Sequence, residues 1–187
     1  KKEINNYINS DKTFMKLITK KQRKVRYKDL EELLKLNIKF KELIKFLTIK
    51  FPNLPILVRP HPSESSVEWQ NFLIKNFPDK NVFIDYQSDI NSLIYNSLCV
   101  INSKSSAGLH SYFQGKPIIS YIPKEVKYRK RVFDYIGEQA KSLNDIQKII
   151  LKILNKEKLI IKKDVKKYVS RYVNNLKNNN PSEIILN

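Results

Sequence analysis

The chain has 187 residues, 41% of them hydrophobic and 11% aromatic, which is enough for one domain with a real core and excludes a disordered chain. Its 36 Lys and Arg against 18 Asp and Glu leave a net charge of +18, which draws anionic partners such as nucleic acid, lipid or small molecules. A single cysteine, Cys99, excludes a disulfide framework or a cysteine-based metal site within the chain, and fits a reducing, cytoplasmic compartment.

The basic residues are spread through both ends, as in Lys20, Lys21, Arg23, Lys24 and Arg26, and again over 156–167. The chain is also rich in Asn, Ile and Lys. The excess is read first as the bias of an AT-rich genome, second as a membrane-surface patch, and third as nucleic-acid binding. No apolar run approaches the ~20 residues that span a bilayer, and no signal peptide is visible. The sequence opens without Met in a polar helical pattern, so a piece of a longer protein is expected.

Residues 1–24 read as a connecting helix or helix pair. A better helix covers 27–50, where Leu30, Leu33, Leu34, Ile38, Leu43, Ile44 and Leu47 recur near helical spacing, and Phe51-Pro52 ends it. Ile56, Leu57 and Val58 form a buried strand that Pro60 and Pro62 forbid from continuing. Ser65 with Glu68 is a capping-box pattern for a helix to about Phe77, with Trp69, Phe72 and Leu73 facing in. A turn at Pro78-Asp79 leads to a second strand at 82–84. Asp89 caps a short helix carrying Ile90, Leu93 and Ile94.

A third strand is expected at 98–101, then a polar loop at 102–106 and a helix at 107–114 ended by Gly115. Strand four covers 118–121. Residues 124–140 read as a basic, Tyr-containing connection, 144–154 as an amphipathic helix and 163–176 as a last helix. A polar tail follows, in which 184–186 could dock. Strands alternating with helices predict an α/β fold with a parallel sheet and right-handed crossovers.

The polar clusters follow the strands: Arg59 to Glu64 after the first, Asp85-Tyr86-Gln87 after the second, 102–106 after the third and 121–124 after the fourth. In a parallel sheet all four fall on one edge, the C-terminal edge where ligands bind. Ser105-Ser106 opens a helix directly after a strand, where free N–H groups and the helix dipole suit a phosphate. An ordinary Ser N-cap and an ordinary strand-ending turn are the competing readings of these two clusters. No glycine precedes Lys104 in the manner of a Walker loop, which argues against a P-loop triphosphatase. His110 shares the face of Ser106. It reads either as a ligand contact or as a half-buried packing residue. His61, His110 and Glu64 lack metal-ligand spacing. Cys99 has no nucleophile-elbow context and reads as a small buried hydrophobe.

In order, these motifs are Arg59-Pro60-His61-Pro62, Ser63-Glu64, Trp69, residues 89–94, Ser97, Ser105-Ser106-Ala107-Gly108, and Gly115-Lys116-Pro117 with 118–121. Together they resemble the bacterial surface-carbohydrate biosynthesis family. That family is similar to GT-B glycosyltransferases and is related in motif to capsule Kdo transferases and to bacterial sialyltransferases that use CMP-activated sugars. The resemblance covers about residues 40–123. It implies a Rossmann-like sheet with flanking helices, the C-terminal, donor-binding half of a GT-B fold, with helical extensions. The domains expected are a helical extension at 1–50 packing on the sheet, the nucleotide-sugar-binding domain at 51–155, and a basic helix and tail at 156–187.

The resemblance further implies that Arg59, His61, Ser105 and Ser106 hold the donor phosphate as one anion site, and that Asp85, Tyr86 and Tyr121 contact base or ribose. Glu64 and His110 complete the expected binding set. No catalytic base is assigned, because it would lie in an N-terminal acceptor half, and no metal or other cofactor is expected. His110 stands where the family usually places a Glu that serves the ribose. The partners implied are a nucleotide-sugar donor, a saccharide or lipid-linked acceptor and the acceptor half, with peripheral contact to anionic membrane and no nucleic acid. The rival functions are a CDP-polyol phosphotransferase of the teichoic-acid type and a non-catalytic basic module for anionic membrane or nucleic acid.

Overall fold

Thr19 opens the longest helix by a reciprocal cap: its hydroxyl accepts from the Gln22 N–H, while the Gln22 side chain accepts from the Thr19 N–H at 2.8 Å. In the computed structural model, which describes residues 19–61, 64–78, 81–127, 136–157 and 159, the elements in order are helix α1 (Lys20–Lys50), strand β1 (Ile56–Val58), α2 (Ser66–Asn76), β2 (Val82–Ile84), α3 (Ile90–Tyr95), β3 (Val100–Asn102), α4 (Ala107–Phe113), β4 (Ile118–Tyr121), β5 (Glu138–Ala140) and α5 (Leu143–Leu154). The expectations for residues 1–18, for a helix at 163–176, for the tail beyond 177 and for a docking segment at 184–186 lie outside the described residues.

The fold is α/β, and every described strand pairing is parallel. The expected single sheet is corrected to two: β1 pairs with β2, and β3, β4 and β5 form a three-stranded sheet with β4 in the centre. Strands of three or four residues offer few ladder bonds, and after Ile84 the chain next pairs at Val100, whose partner is Ile118. The expected common edge therefore divides into one C-terminal edge per sheet. The chain divides correspondingly into two compact units, Lys1–Ser88 with Pro123–Arg129, and Asp89–Ile122 with Lys130–Asn187.

In the first unit, Ile44 of α1 and Trp69, Leu73 and Phe77 of the α2 region form a core against Val58, Val82 and Ile84. The period of 3.6 carries the inward stripe of α1 through Leu36, Phe40, Leu43, Ile44 and Leu47. Leu33 and Ile38, which recur near the helical spacing, fall beside that stripe and stand 37% and 52% exposed. Leu57 and Phe83, paired in register, face away from the helices and are about half exposed. The β1–β2 sheet is thus covered on one face, whereas a buried strand was expected. Glu32 of α1 is buried and accepts from Lys35 Nζ at 2.7 Å and from the Lys127 N–H, tying the segment after Pro123 to the helix. The Lys35 ammonium and then the Lys127 N–H hold its carboxyl below the usual range, although burial opposes them. That contribution to stability is present above the unfolded value and is lost as pH falls through the lowered one.

In the second unit, β4 is buried along its whole length. Helix α5 packs on β4 and β5 through Ile146, Ile149, Ile150 and Ile153, each buried and each stabilising by about 1.5–3 kcal/mol. Its start is a capping box in which Ser142 accepts from the Asp145 N–H and Asp145 accepts from the Ser142 N–H at 3.0 Å. Strand β3 lies one to two residues later than expected, at Val100–Asn102. Strand β5 is a fifth strand that no apolar run announces. It is entered through Gly137, whose φ is +104° and where an added Cβ would stand 2.5 Å from the Ile118 carbonyl oxygen. Gly115, the expected stop after α4, has φ +66° with nothing within 4 Å of an added Cβ.

The contrast predicts that Gly137→Ala costs about 3 kcal/mol or more, from strain plus overpacking, and Gly115→Ala about 1 kcal/mol from strain alone. Equilibrium urea unfolding of the two variants measures the difference. Equal costs would contradict the close approach at Gly137.

Candidate functional site

Strand β1 ends because Pro60 has no N–H to offer a ladder. The last backbone donor before Pro62 is the His61 N–H, and Glu64 Oε2 accepts from it at 2.8 Å. The Glu64 N–H in turn donates to the His61 carbonyl at 2.8 Å, so the turn is closed at both ends. The other carboxylate oxygen of Glu64 accepts from Asn37 Nδ2 of α1 at 2.8 Å. Glu64, expected among the ligand contacts, therefore commits both oxygens within the protein. His61 itself is exposed.

Beside this turn, the Asp85 N–H extends the β2 ladder to the Val58 carbonyl at 3.1 Å. Asp85 Oδ1 then accepts from the N–H groups of Gln87 at 2.8 Å and Ser88 at 2.9 Å, an Asx-type turn. Hydrogen bonds from Ser88, then from the Gln87 N–H, hold the Asp85 carboxyl below the usual range, and Arg59 adds a smaller pull. Arg59 Nη1 donates to the Ser88 carbonyl, so one of its five N–H donors ties the end of β1 to the loop after β2. The Tyr86 hydroxyl donates to the Ser66 carbonyl at 2.9 Å, and desolvation, with the charge of Glu64, pushes it up. Arg59, His61, Glu64, Asp85 and Tyr86 are thus brought together at the C-terminal edge of the first sheet.

In the second unit, β3 ends at Asn102, which is 5% exposed. Its Nδ2 donates to the Ser105 carbonyl at 3.2 Å, and its Oδ1 is buried with no partner among the described residues. Lys104 takes a left-handed φ of +55° in the loop between them. An added Cβ at Gly108 would lie 2.7 Å from Asn102 Nδ2, so a side chain there would displace the Asn102 amide. Ser105 closes the helix start: its Oγ accepts from the Ala107 N–H at 3.2 Å and its carbonyl from the Gly108 N–H at 3.4 Å. The expected free N–H groups at this helix end are therefore largely occupied by the chain itself. Ser106 is exposed and its side chain makes no capping bond.

His110 meets Asn91 of α3, with its Nδ1 3.0 Å from Asn91 Oδ1. The same oxygen accepts from Gln114 Nε2 at 3.2 Å. An amide oxygen only accepts, so at this contact the His110 Nδ1 donates to Asn91. Tyr121 is 2% exposed and belongs to the core of this unit, away from the role of a surface contact.

Comparison with protein-family models, with curated proteins and with solved structures finds no match to this chain.

Three asparagines shape these two edges without having been singled out for it: Asn37 in the first unit, and Asn91 and Asn102 in the second. Only Asn102 lay inside a loop marked as polar. Asn37 carried one weak signal, a poor helix former between Leu36 and Ile38 in mid-helix. Away from the strand ends, an open groove of about 450 Å³ between α1 and α2 is lined by Lys41, Lys45, Glu68, Phe72 and Lys75 among others. Its Lys41 lies 5.4 Å from the Trp69 ring and its Lys45 5.7 Å from that of Phe72, so these ammonium groups already rest on aromatic faces. No three metal-ligating side chains gather among the described residues, and no described helix is long and apolar enough to cross a membrane.

Desolvation pushes the Cys99 thiol up to about 11. Thiolate is the reactive form, so Cys99 is predicted to label about a hundredfold more slowly than an ordinary cysteine at neutral pH, and at the ordinary rate once the chain is unfolded. Stopped labelling with a thiol reagent, with and without urea, measures both rates.

Proposed function

We propose that this chain is the donor-binding half of a GT-B-like glycosyltransferase of surface polysaccharide synthesis, with a Rossmann-like arrangement and a CMP-activated sugar as donor. The reading is supported by the ordered motifs of the resemblance and by parallel α/β ladders whose C-terminal ends carry them. One observation carries most weight. The His61 turn is fixed by Glu64 at its backbone, while His61 remains exposed.

In this reading Arg59 and His61 offset the negative charge of the donor phosphate. As the sugar–oxygen bond breaks, charge accumulates on the departing nucleotide phosphate, and positioned donors stabilise it more than they stabilise the ground state. In the second unit, Ser106 offers an exposed hydroxyl. His110 answers the departure from the family pattern. In the neutral tautomer that gives its Nδ1 proton to Asn91, Nε2 is left to accept a hydrogen bond from a hydroxyl, the act a carboxylate performs. Deprotonation of the acceptor belongs to residues outside this chain. The reading makes the protein work at the inner face of the membrane.

Titration with CMP tests this. His61→Ala is expected to weaken binding about tenfold, the loss of one charge-assisted hydrogen bond, while its backbone N–H keeps the bond to Glu64. His110→Glu is expected to retain binding better than His110→Ala. Equal CMP affinity in wild type and His61→Ala would remove the phosphate role of His61.

A further inference from the structure

We infer that Asn37, in the middle of helix α1, is a positioning residue that sets the His61 turn through Glu64. Its bearing on ligand binding rests on the phosphate role proposed for His61. The turn has one adjustable element. Pro60 has a fixed φ, and Pro62 has no N–H, so the direction in which His61 leaves the strand depends on its own N–H. Glu64 Oε2 holds that N–H at 2.8 Å. A carboxylate on one hydrogen bond can still rotate about its last torsion, which is broad. Asn37 Nδ2, at 2.8 Å from Oε1, removes that freedom.

The anchor is rigid. Asn37 belongs to a 31-residue helix, and Phe40 and Ile44 of the same helix pack into the core that includes Val58, the last residue of β1. The position of the ligand turn is thus referred to the core by a residue 27 positions earlier in the chain. An asparagine in a helix interior is costly relative to leucine or lysine, since its amide competes for nearby backbone groups. Here the amide reaches a carboxylate instead, a stronger, charge-assisted bond.

The polarity of the pair supplies the test, because amide and carboxylate are nearly isosteric. In Glu64→Gln, the new amide keeps an oxygen for the His61 N–H and turns its NH2 toward residue 37, where Asn37 flips to present Oδ1. In Asn37→Asp, two carboxylates face each other and the clamp opens. In Asn37→Asp with Glu64→Gln, the NH2 of Gln donates to the aspartate and the clamp closes again. A role in packing alone would give four equivalent proteins.

Two readouts on the full chain decide the matter: the His61 amide proton in 1H–15N spectra, and CMP titration. Asn37→Asp is expected to move the His61 amide resonance toward that of an unbonded amide and to weaken CMP about tenfold. Glu64→Gln and the double variant are expected to keep the wild-type resonance and to bind within about twofold of wild type. A His61 amide that ignores Asn37→Asp, or that the double variant fails to restore, overturns the inference. Absence of CMP binding in the wild type would remove the proposed function while the amide resonance still decides the role of Asn37.

Discussion

Parallel strands of three residues cannot hold their own ends. At each C-terminal edge the backbone leaves the ladder after two or three bonds, and its N–H and C=O groups need other partners. In this chain side chains of the following loop take over. Glu64 accepts from the N–H of His61, Asp85 from those of Gln87 and Ser88, and Asn102 donates to the carbonyl of Ser105. The remaining features of the site follow from this handover. Arg59 reaches Ser88 because the Asp85 turn brings that carbonyl round, and Gly108 has no side chain because Asn102 occupies the space.

The handover also separates two kinds of polar residue that a motif cannot distinguish. Glu64, Asp85, Tyr86 and Ser105 spend their functional atoms on the architecture of the loops. Arg59, which gives one N–H to the Ser88 carbonyl, His61 and Ser106 are exposed at the ends of those loops, and the His110 Nδ1 meets Asn91. Among the described residues, several other lysines rest on aromatic rings or pair with nearby acids, as Lys41 over Trp69 and Lys39 with Glu42 at 2.9 Å.

Strands β1, β2 and β4 were legible because each is an apolar run stopped by proline or a polar turn. The caps of Ser65 and Asp89 were legible because the short side-chain oxygen and the N–H three residues on are local partners. Strand β5 was not, since Glu138-Gln139-Ala140 has no strand composition and is held by its backbone pairing with β4. The division into two sheets was not legible either, because an apolar run does not name its partner. In the site, position followed from the strand ends, but work did not. Whether Glu64 meets a ligand or Asn37 depends on a contact across 27 residues, which no local pattern encodes. Tyr121 illustrates the reverse: a tyrosine at a strand's end looked available, yet the central position of β4 buries it.

The central claim is that the C-terminal ends of these strands receive a nucleotide. The most direct measurement is a map of 1H–15N chemical-shift changes on titrating the full chain with CMP. The account predicts saturable changes at 59–61 and 85–88, with the turns at 51–55 and 115–117 unmoved. No saturable change, or changes confined to those opposite turns or to the lysines of α1, would contradict it.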